Sequence, residues 1–120
     1  MKNFLLSLLD WIYKKKCYFC GSSKECVAMC SNCYDSMSSL PLEVNRTILN
    51  VKIYACGLYE KTMQKMIRGL KYHGQRDLAY YQAKFMWKYW KNLGITETFQ
   101  VVPVPIYKTR QKKRKYNHME

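Results

Sequence analysis

Cys17-Tyr-Phe-Cys20-Gly-Ser-Ser-Lys-Glu-Cys26-Val-Ala-Met-Cys30-Ser-Asn-Cys33 holds all but one of the chain's 6 cysteines. The stretch has few large apolar side chains, and Gly21, Ser22, Ser23, Ser31 and Asn32 suit tight turns. It cannot close a core by burial alone and needs a staple. Two Cys-x2-Cys turns, Cys17/Cys20 and Cys30/Cys33, each aim a pair of thiolates at one centre. Together they supply four ligands at about 2.3 Å from a tetrahedral ion, the closed geometry of a structural site. The spacing predicts one structural Zn2+ held by Cys17, Cys20, Cys30 and Cys33. A closed shell leaves no position for water, so the metal is not expected to be catalytic. A pair of disulfides and an iron–sulfur cluster are the alternatives; the absence of an export signal and of iron–sulfur spacings speaks against both. Cys26 is an extra thiol, with Cys26-x3-Cys30 as an alternative pairing, left out because the two x2 turns already fill the shell. Lys14, Lys15, Lys16 and Lys24 offset part of the negative charge of four thiolates.

Upstream, Phe4, Leu5, Leu8, Leu9 and Ile12 recur at helical spacing and predict an amphipathic helix over 1–16. Asp10 interrupts the apolar run, which is too short to span a bilayer and has no small-residue cleavage site behind it. No transmembrane segment is expected, and the cytoplasm is the expected location. The zinc ribbon-like module is placed at 17–40. A connector follows over 35–50, broken by Ser36, Ser38, Ser39 and Pro41.

A second unit is expected from residue 51. Alternation of Val51, Ile53, Ala55 and Gly57 with Lys52, Tyr54, Cys56 and Leu58 predicts a strand ending near Tyr59. Tyr59, Met63, Met66, Ile67 and Leu70 mark one face of a helix that His73-Gly74 ends. Another helix is expected from Arg76 to Asn92, burying Leu78, Tyr81, Phe85, Tyr89 and Trp90, with Gly94 beyond its end. Phe99-Gln-Val-Val-Pro-Val-Pro-Ile reads as extended, and Pro103 and Pro105 let it pair fully on one side only. It leads into a basic run of Lys108, Arg110, Lys112, Lys113, Arg114 and Lys115.

The 120 residues carry 21 Lys and Arg against 8 Asp and Glu, a net charge of +13. That field favours polyanions without choosing among them. Arg110 and Arg114 suit forked contacts with phosphate oxygens, Lys71 a point contact, and Asn117 a hydroxyl or amide. The plainer reading of these residues is a solvated basic turn entering a helix. His73 and His118 are weaker candidates, because lone histidines near helix ends are usually surface or capping groups.

Four stretches resemble, in order, the front part of the ComF family, the competence-associated proteins similar to amidophosphoribosyltransferases. They are the apolar leader ending in Tyr-Lys-Lys-Lys-Cys-Tyr-Phe-Cys-Gly; the paired cysteine turns; Gly57-Leu-Tyr-Glu-Lys-Thr-Met-Gln-Lys-Met-Ile-Arg-Gly-Leu-Lys-Tyr-His-Gly74; and Val101-Val-Pro-Val-Pro-Ile-Tyr-Lys-Thr-Arg110 with Arg114-Lys-Tyr-Asn117. Where the family usually reads Arg-Gly-Phe-Asn-Gln, this chain has Arg114-Lys115-Tyr116-Asn117-His118. The family's phosphoribosyl pyrophosphate loop, an acidic pair before a Thr-Thr-Gly type turn, has no counterpart in 1–120.

The resemblance implies an α+β or α/β protein: a four-cysteine zinc ribbon, then an incomplete phosphoribosyltransferase-like region over 51–120, truncated before its ligand loop. It implies a link to competence and DNA uptake, and no catalytic residue within this chain. The alternative is a zinc-ribbon module that binds single-stranded nucleic acid or acts as an adaptor, with Tyr72, Tyr107 and Tyr116 stacking on bases. A third is a zinc-stabilised interaction protein with no ligand of its own. The expected partners are single-stranded DNA or a phosphorylated small molecule, and a protein that covers exposed apolar faces.

Overall fold

The computed structural model describes residue 12 and residues 14–25, 27–37 and 46–117. The chain divides into two compact units, Met1–Ser36 and Met37–Glu120. The elements are α1 (Ser31–Asp35), β1 (Arg46–Ile48), β2 (Val51–Ile53), α2 (Lys61–Tyr72), α3 (Leu78–Asn92) and α4 (Lys108–Arg114). Among the described residues the architecture is therefore helices with one small antiparallel sheet of two strands. A phosphoribosyltransferase-like sheet is not displayed by the described residues. The helix expected over 1–16 lies outside them except at its end, where Ile12 is helical and exposed. No helix among the described residues is long and apolar enough to cross a membrane.

The first unit folds around cysteine turns. Among the described residues its buried ones are Cys17, Met29 and Cys30, all sulfur-bearing. In the second unit β1 and β2 pair with Arg46 opposite Ile53 and Ile48 opposite Val51. Leu49 and Asn50 both take positive φ, 49° and 64°. That is the primed two-residue turn whose twist matches the strands it joins. The expected connector at 35–50 therefore contains a strand at its end. The strand expected to run to Tyr59 stops at Ile53, because only three residues on each side find ladder partners.

Helix α2 buries Met66, Gly69 and Leu70, and α3 buries Leu78, Phe85 and Tyr89. These faces pack together and form the core of the unit. Tyr81 and Trp90, expected in the α3 core, are half-buried, and Tyr59 is exposed. The turn between the helices is tight. The Gly69 carbonyl accepts from both His73 N–H and Gln75 N–H, and Gly74 turns the chain at φ +64°. Gly94, also at φ +64°, closes α3 in the same left-handed conformation.

Residues 99–106 leave α3 without joining a ladder, and Val101, Val102 and Val104 are exposed. The extended reading rested on prolines and valines, which set backbone preference but supply no neighbouring strand. Phe99 meets Trp90 edge-on at 5.5 Å between ring centroids, which ties the segment's start to α3. Helix α4 then ends at Lys115, which takes φ +63°. A side chain in that left-handed conformation costs about 1 kcal/mol, and glycine relieves it. Lys115→Gly is therefore expected to raise the unfolding free energy of the second unit by roughly 0.5–1 kcal/mol, allowing for the entropy glycine adds to the unfolded chain. Urea denaturation measures it; a lower midpoint would contradict the left-handed cap.

Candidate metal centre and basic cleft

The first cysteine turn is built by backbone bonds. Cys17 N–H donates to the Ser22 carbonyl at 2.8 Å and Gly21 N–H to the Cys17 carbonyl at 2.8 Å. Gly21 sits at φ +74°, where a glycine is needed to bring the chain round without strain. Tyr18 N–H donates to the Ala28 carbonyl at 2.9 Å, which holds this turn beside the approach to the second. The second turn is the start of α1. Cys30 is its N-cap and Cys33 lies within it, so the i, i+3 spacing puts both sulfurs on one side. The Glu25 carboxylate accepts from Ser31 N–H at 3.1 Å and from the Ser31 hydroxyl at 2.9 Å, satisfying the start of this short helix.

The sulfurs of Cys17, Cys20, Cys30 and Cys33 all lie within 4.8 Å of one another. Cys20 Sγ and Cys30 Sγ are 3.6 Å apart. Thiolates at about 2.3 Å from one tetrahedral ion are about 3.8 Å from each other. A disulfide requires about 2.05 Å, and all four are free thiols. The cage therefore has the size and donor set for one metal ion.

Its electrostatics suit deprotonated ligands unevenly. Burial pushes the Cys17 thiol up, but the backbone amides of Cys20, Cys30 and Phe19 around its sulfur outweigh this and lower it to about 6. Cys30 N–H donates to that sulfur at 3.4 Å. Burial pushes the Cys33 thiol well above its usual range, and the facing Cys30, Cys20 and Cys17 push it further. At Cys30 the amide of Cys33 lowers the thiol, but burial and the sulfurs of Cys20 and Cys17 leave it raised. Sulfurs that resist ionising together are what a cation resolves, by replacing the protons. Cys26 lies outside the described residues. Cys56, in the second unit, is pushed up by burial, which suits an inert thiol rather than a nucleophile.

In the second unit Lys71, Tyr72, Gly74, Arg110, Lys113, Arg114 and Tyr116 line a cleft of about 520 Å3. Three of the sequence candidates, Lys71, Arg110 and Arg114, thus meet there; the fourth, Asn117, is half-buried beyond its lining. Lys113 and Tyr116 join them, and no lining residue is acidic. The assembly depends on a latch. The Tyr116 hydroxyl donates to the Leu70 carbonyl, one of the last carbonyls of α2. The Arg76 guanidinium lies 5.2 Å from the centre of the Tyr116 ring, and Arg114 lies 5.6 Å from that of Tyr72. Burial pushes the Tyr116 phenol up, although Arg114 and Arg76 pull the other way, so it stays protonated as the donor. His73 is exposed outside this lining, and His118 lies outside the described residues.

A separate apolar hollow of about 220 Å3 lies among Cys56, Gly57, Tyr59, Met63, Ile67, Gln82, Phe85 and Met86. Leu58, Tyr59 and Met86 around it are more than half exposed. Compared with protein-family models, curated proteins and solved structures, the chain matches none.

Proposed function

We propose that the chain is the front part of a ComF-like protein, with a zinc-stapled first unit and a second unit that holds single-stranded DNA by its phosphates during uptake. The observation that carries this reading is the convergence of Lys71, Arg110, Lys113 and Arg114 in a cleft that no carboxylate lines among the described residues. Charge-assisted bonds from such groups to phosphate oxygens are about twice as strong as neutral ones. Tyr72 and Tyr116 supply the aromatic surface that unpaired bases stack on. The role is binding, not catalysis. Among the described residues the cleft is lined by no carboxylate, histidine or cysteine, and the phosphoribosyltransferase-like chemistry implied by the resemblance needs an acidic phosphate loop absent from 1–120. Nucleotide sequence downstream of codon 120 tests the kinship: an acidic pair before a Thr-Thr-Gly type turn supports it, and a different continuation removes the enzymatic version.

Zinc is the ion that the cage favours. Four sulfurs this close together bracket a single ion rather than a multi-iron cluster, and a full thiolate shell suits a redox-inert structural metal in the reducing cytoplasm. The exposed Leu58, Tyr59 and Met86 are the face that a protein partner would cover.

Phosphate binding has a measurable signature. Each neutralised phosphate of a single strand contributes about −0.7 to the slope of log affinity against log salt. The four cations of the cleft therefore predict a slope near −3 for a short oligodeoxythymidine, on the order of the number of contacts times that value. Arg110→Ala is expected to make the slope shallower by about one contact. No binding near physiological salt would overturn the proposal.

A further inference from the structure

The β1–β2 hairpin carries a leucine at its tip that neither the turn nor the core explains. Leu49 takes φ 49° and is 93% exposed. A primed two-residue turn favours asparagine, aspartate or glycine there, and a bulky side chain at positive φ is strained. Leu49 bears that strain and gains no burial to offset it. Strain held without burial points to a use outside the fold. The strands behind the tip continue its character on one face. Successive residues of a strand point to opposite faces, and Ile48 pairs with Val51, Arg46 with Ile53. Ile48, Val51 and Ile53 therefore share a face with Arg46, while Thr47 and Lys52 share the other. All six are exposed. Tyr54, also exposed, follows Ile53. From Arg46 to Tyr59 the chain carries Arg46 and Lys52 as its charges and no acidic residue.

Exposed apolar patches mark contacts with proteins or with membranes. Strands of three residues offer an incoming strand few ladder groups, and a side chain as exposed as Leu49 presents a projection rather than a hollow. A bilayer surface takes such a projection. The rise of about 3.4 Å per residue sets the Arg46–Ile53 pair about 10 Å behind Leu49, and Lys52 about 7 Å behind it. Interfacial segments bury their apolar groups to about 5–10 Å. With Leu49, Ile48 and Val51 at that depth, Lys52 and Arg46 stand at the level of the headgroups. Each cation held near an anionic leaflet tightens attachment about fivefold. Tyr54 suits the same boundary, where tyrosine and tryptophan gather.

We infer that the β1–β2 hairpin is a membrane-surface anchor: Leu49, Ile48 and Val51 dip into an anionic bilayer, and Arg46 and Lys52 meet its headgroups. The test uses the full chain loaded with zinc, co-sedimented at physiological salt with vesicles of phosphatidylcholine and phosphatidylserine, or of phosphatidylcholine alone. The chain is expected to bind the mixed vesicles and to bind the neutral ones far more weakly. Leu49→Asn keeps every charge and places at the tip a residue that the turn prefers. Its urea midpoint is expected at or above the parent's, yet its affinity for mixed vesicles should fall about tenfold, the loss of one leucine's burial. Leu49→Trp is expected to bind at least as tightly as the parent. Its emission should shift further to the blue on mixed vesicles than the parent's does, because the added ring enters the interface. Parental affinity in Leu49→Asn would overturn the inference, since charge alone would then attach the chain. Failure of the parent to bind mixed vesicles would overturn it too, and would leave the apolar face to a protein. Leu49 lies outside the cleft lining, so either failure leaves the nucleic-acid reading standing.

Discussion

Cys30→Ser is expected to take metal content from one ion per chain to a small fraction of that, and to unfold the first unit. Cys30 is 6% exposed and faces Cys17 and Cys20 within the cage, so its loss opens the shell from inside. The stakes are large because little else holds the unit. Beyond the cysteines, Met29 is its one fully covered apolar side chain among the described residues. Structural zinc contributes on the order of 10–16 kcal/mol to small folded modules, and losing a ligand forfeits much of it. Metal analysis after dialysis against a chelator reads the first effect. Trypsin cleavage after Lys24 reads the second, as a rate that rises when the turn around this exposed residue unfolds. Cys56→Ser is the matched control and should retain a full complement of metal, because Cys56 lies outside the sulfur cage. Unchanged stoichiometry in Cys30→Ser would refute the site.

Phe85→Ala is expected to lower the stability of the second unit by about 3–5 kcal/mol. The ring is 5% exposed on α3, and its Cε1 would lie 3.4 Å from a Cβ added at Gly57. It therefore packs against both α2's partner face and the chain entering α2. A unit this small draws only about 3–5 kcal/mol from its core, so the variant should be largely unfolded without a ligand. Urea titration followed by tyrosine and tryptophan fluorescence would show the transition shifted to very low denaturant. A parental midpoint would mean that α2 and α3 do not form the core described. Cleft binding should be lost in Phe85→Ala too, whereas metal stoichiometry should not change, since each unit has its own compact packing.

Features of this chain that arise from near neighbours were legible in the sequence. The cysteine cage is one, because a Cys-x2-Cys turn is closed by bonds within a few residues, such as Gly21 N–H to the Cys17 carbonyl. Helices α2 and α3 are another, since Met66, Leu70, Leu78, Phe85 and Tyr89 write their buried faces at steps of three or four. The hairpin was hidden for a physical reason. Arg46-Thr47-Ile48 is exposed on every residue, so no alternation betrays it, and its turn uses Leu49-Asn50 without glycine. The apparent strand at 99–106 shows the opposite failure, a local preference with no partner to realise it. Lys71, Arg110 and Arg114 could be nominated by charge, but their meeting depends on Tyr116 reaching Leu70. Tyr116 was nominated for stacking and Lys113 stood in the basic run, but only tertiary contact picks them, and not Tyr107 or Lys112, as lining residues.

The latch between Tyr116 and Leu70 also sets an order of assembly. The two residues are 46 apart in sequence. Closing a loop of that length costs on the order of 3 kcal/mol of chain entropy. One hydrogen bond returns about 0.5–1.5 kcal/mol, and each exposed cation–aromatic contact about 0.5–1 kcal/mol. The closure is nearly balanced unless α3 has already folded back on α2 and shortened the distance to be bridged. The helical pair must therefore come first in folding, and α4 docks on a finished surface. In reverse, α4 releases before the α2–α3 pair opens, taking Arg110, Lys113 and Arg114 with it while the core beneath stays closed. A strand of nucleic acid that bridges Lys71 and Arg110 would stabilise the last-formed part of the molecule most.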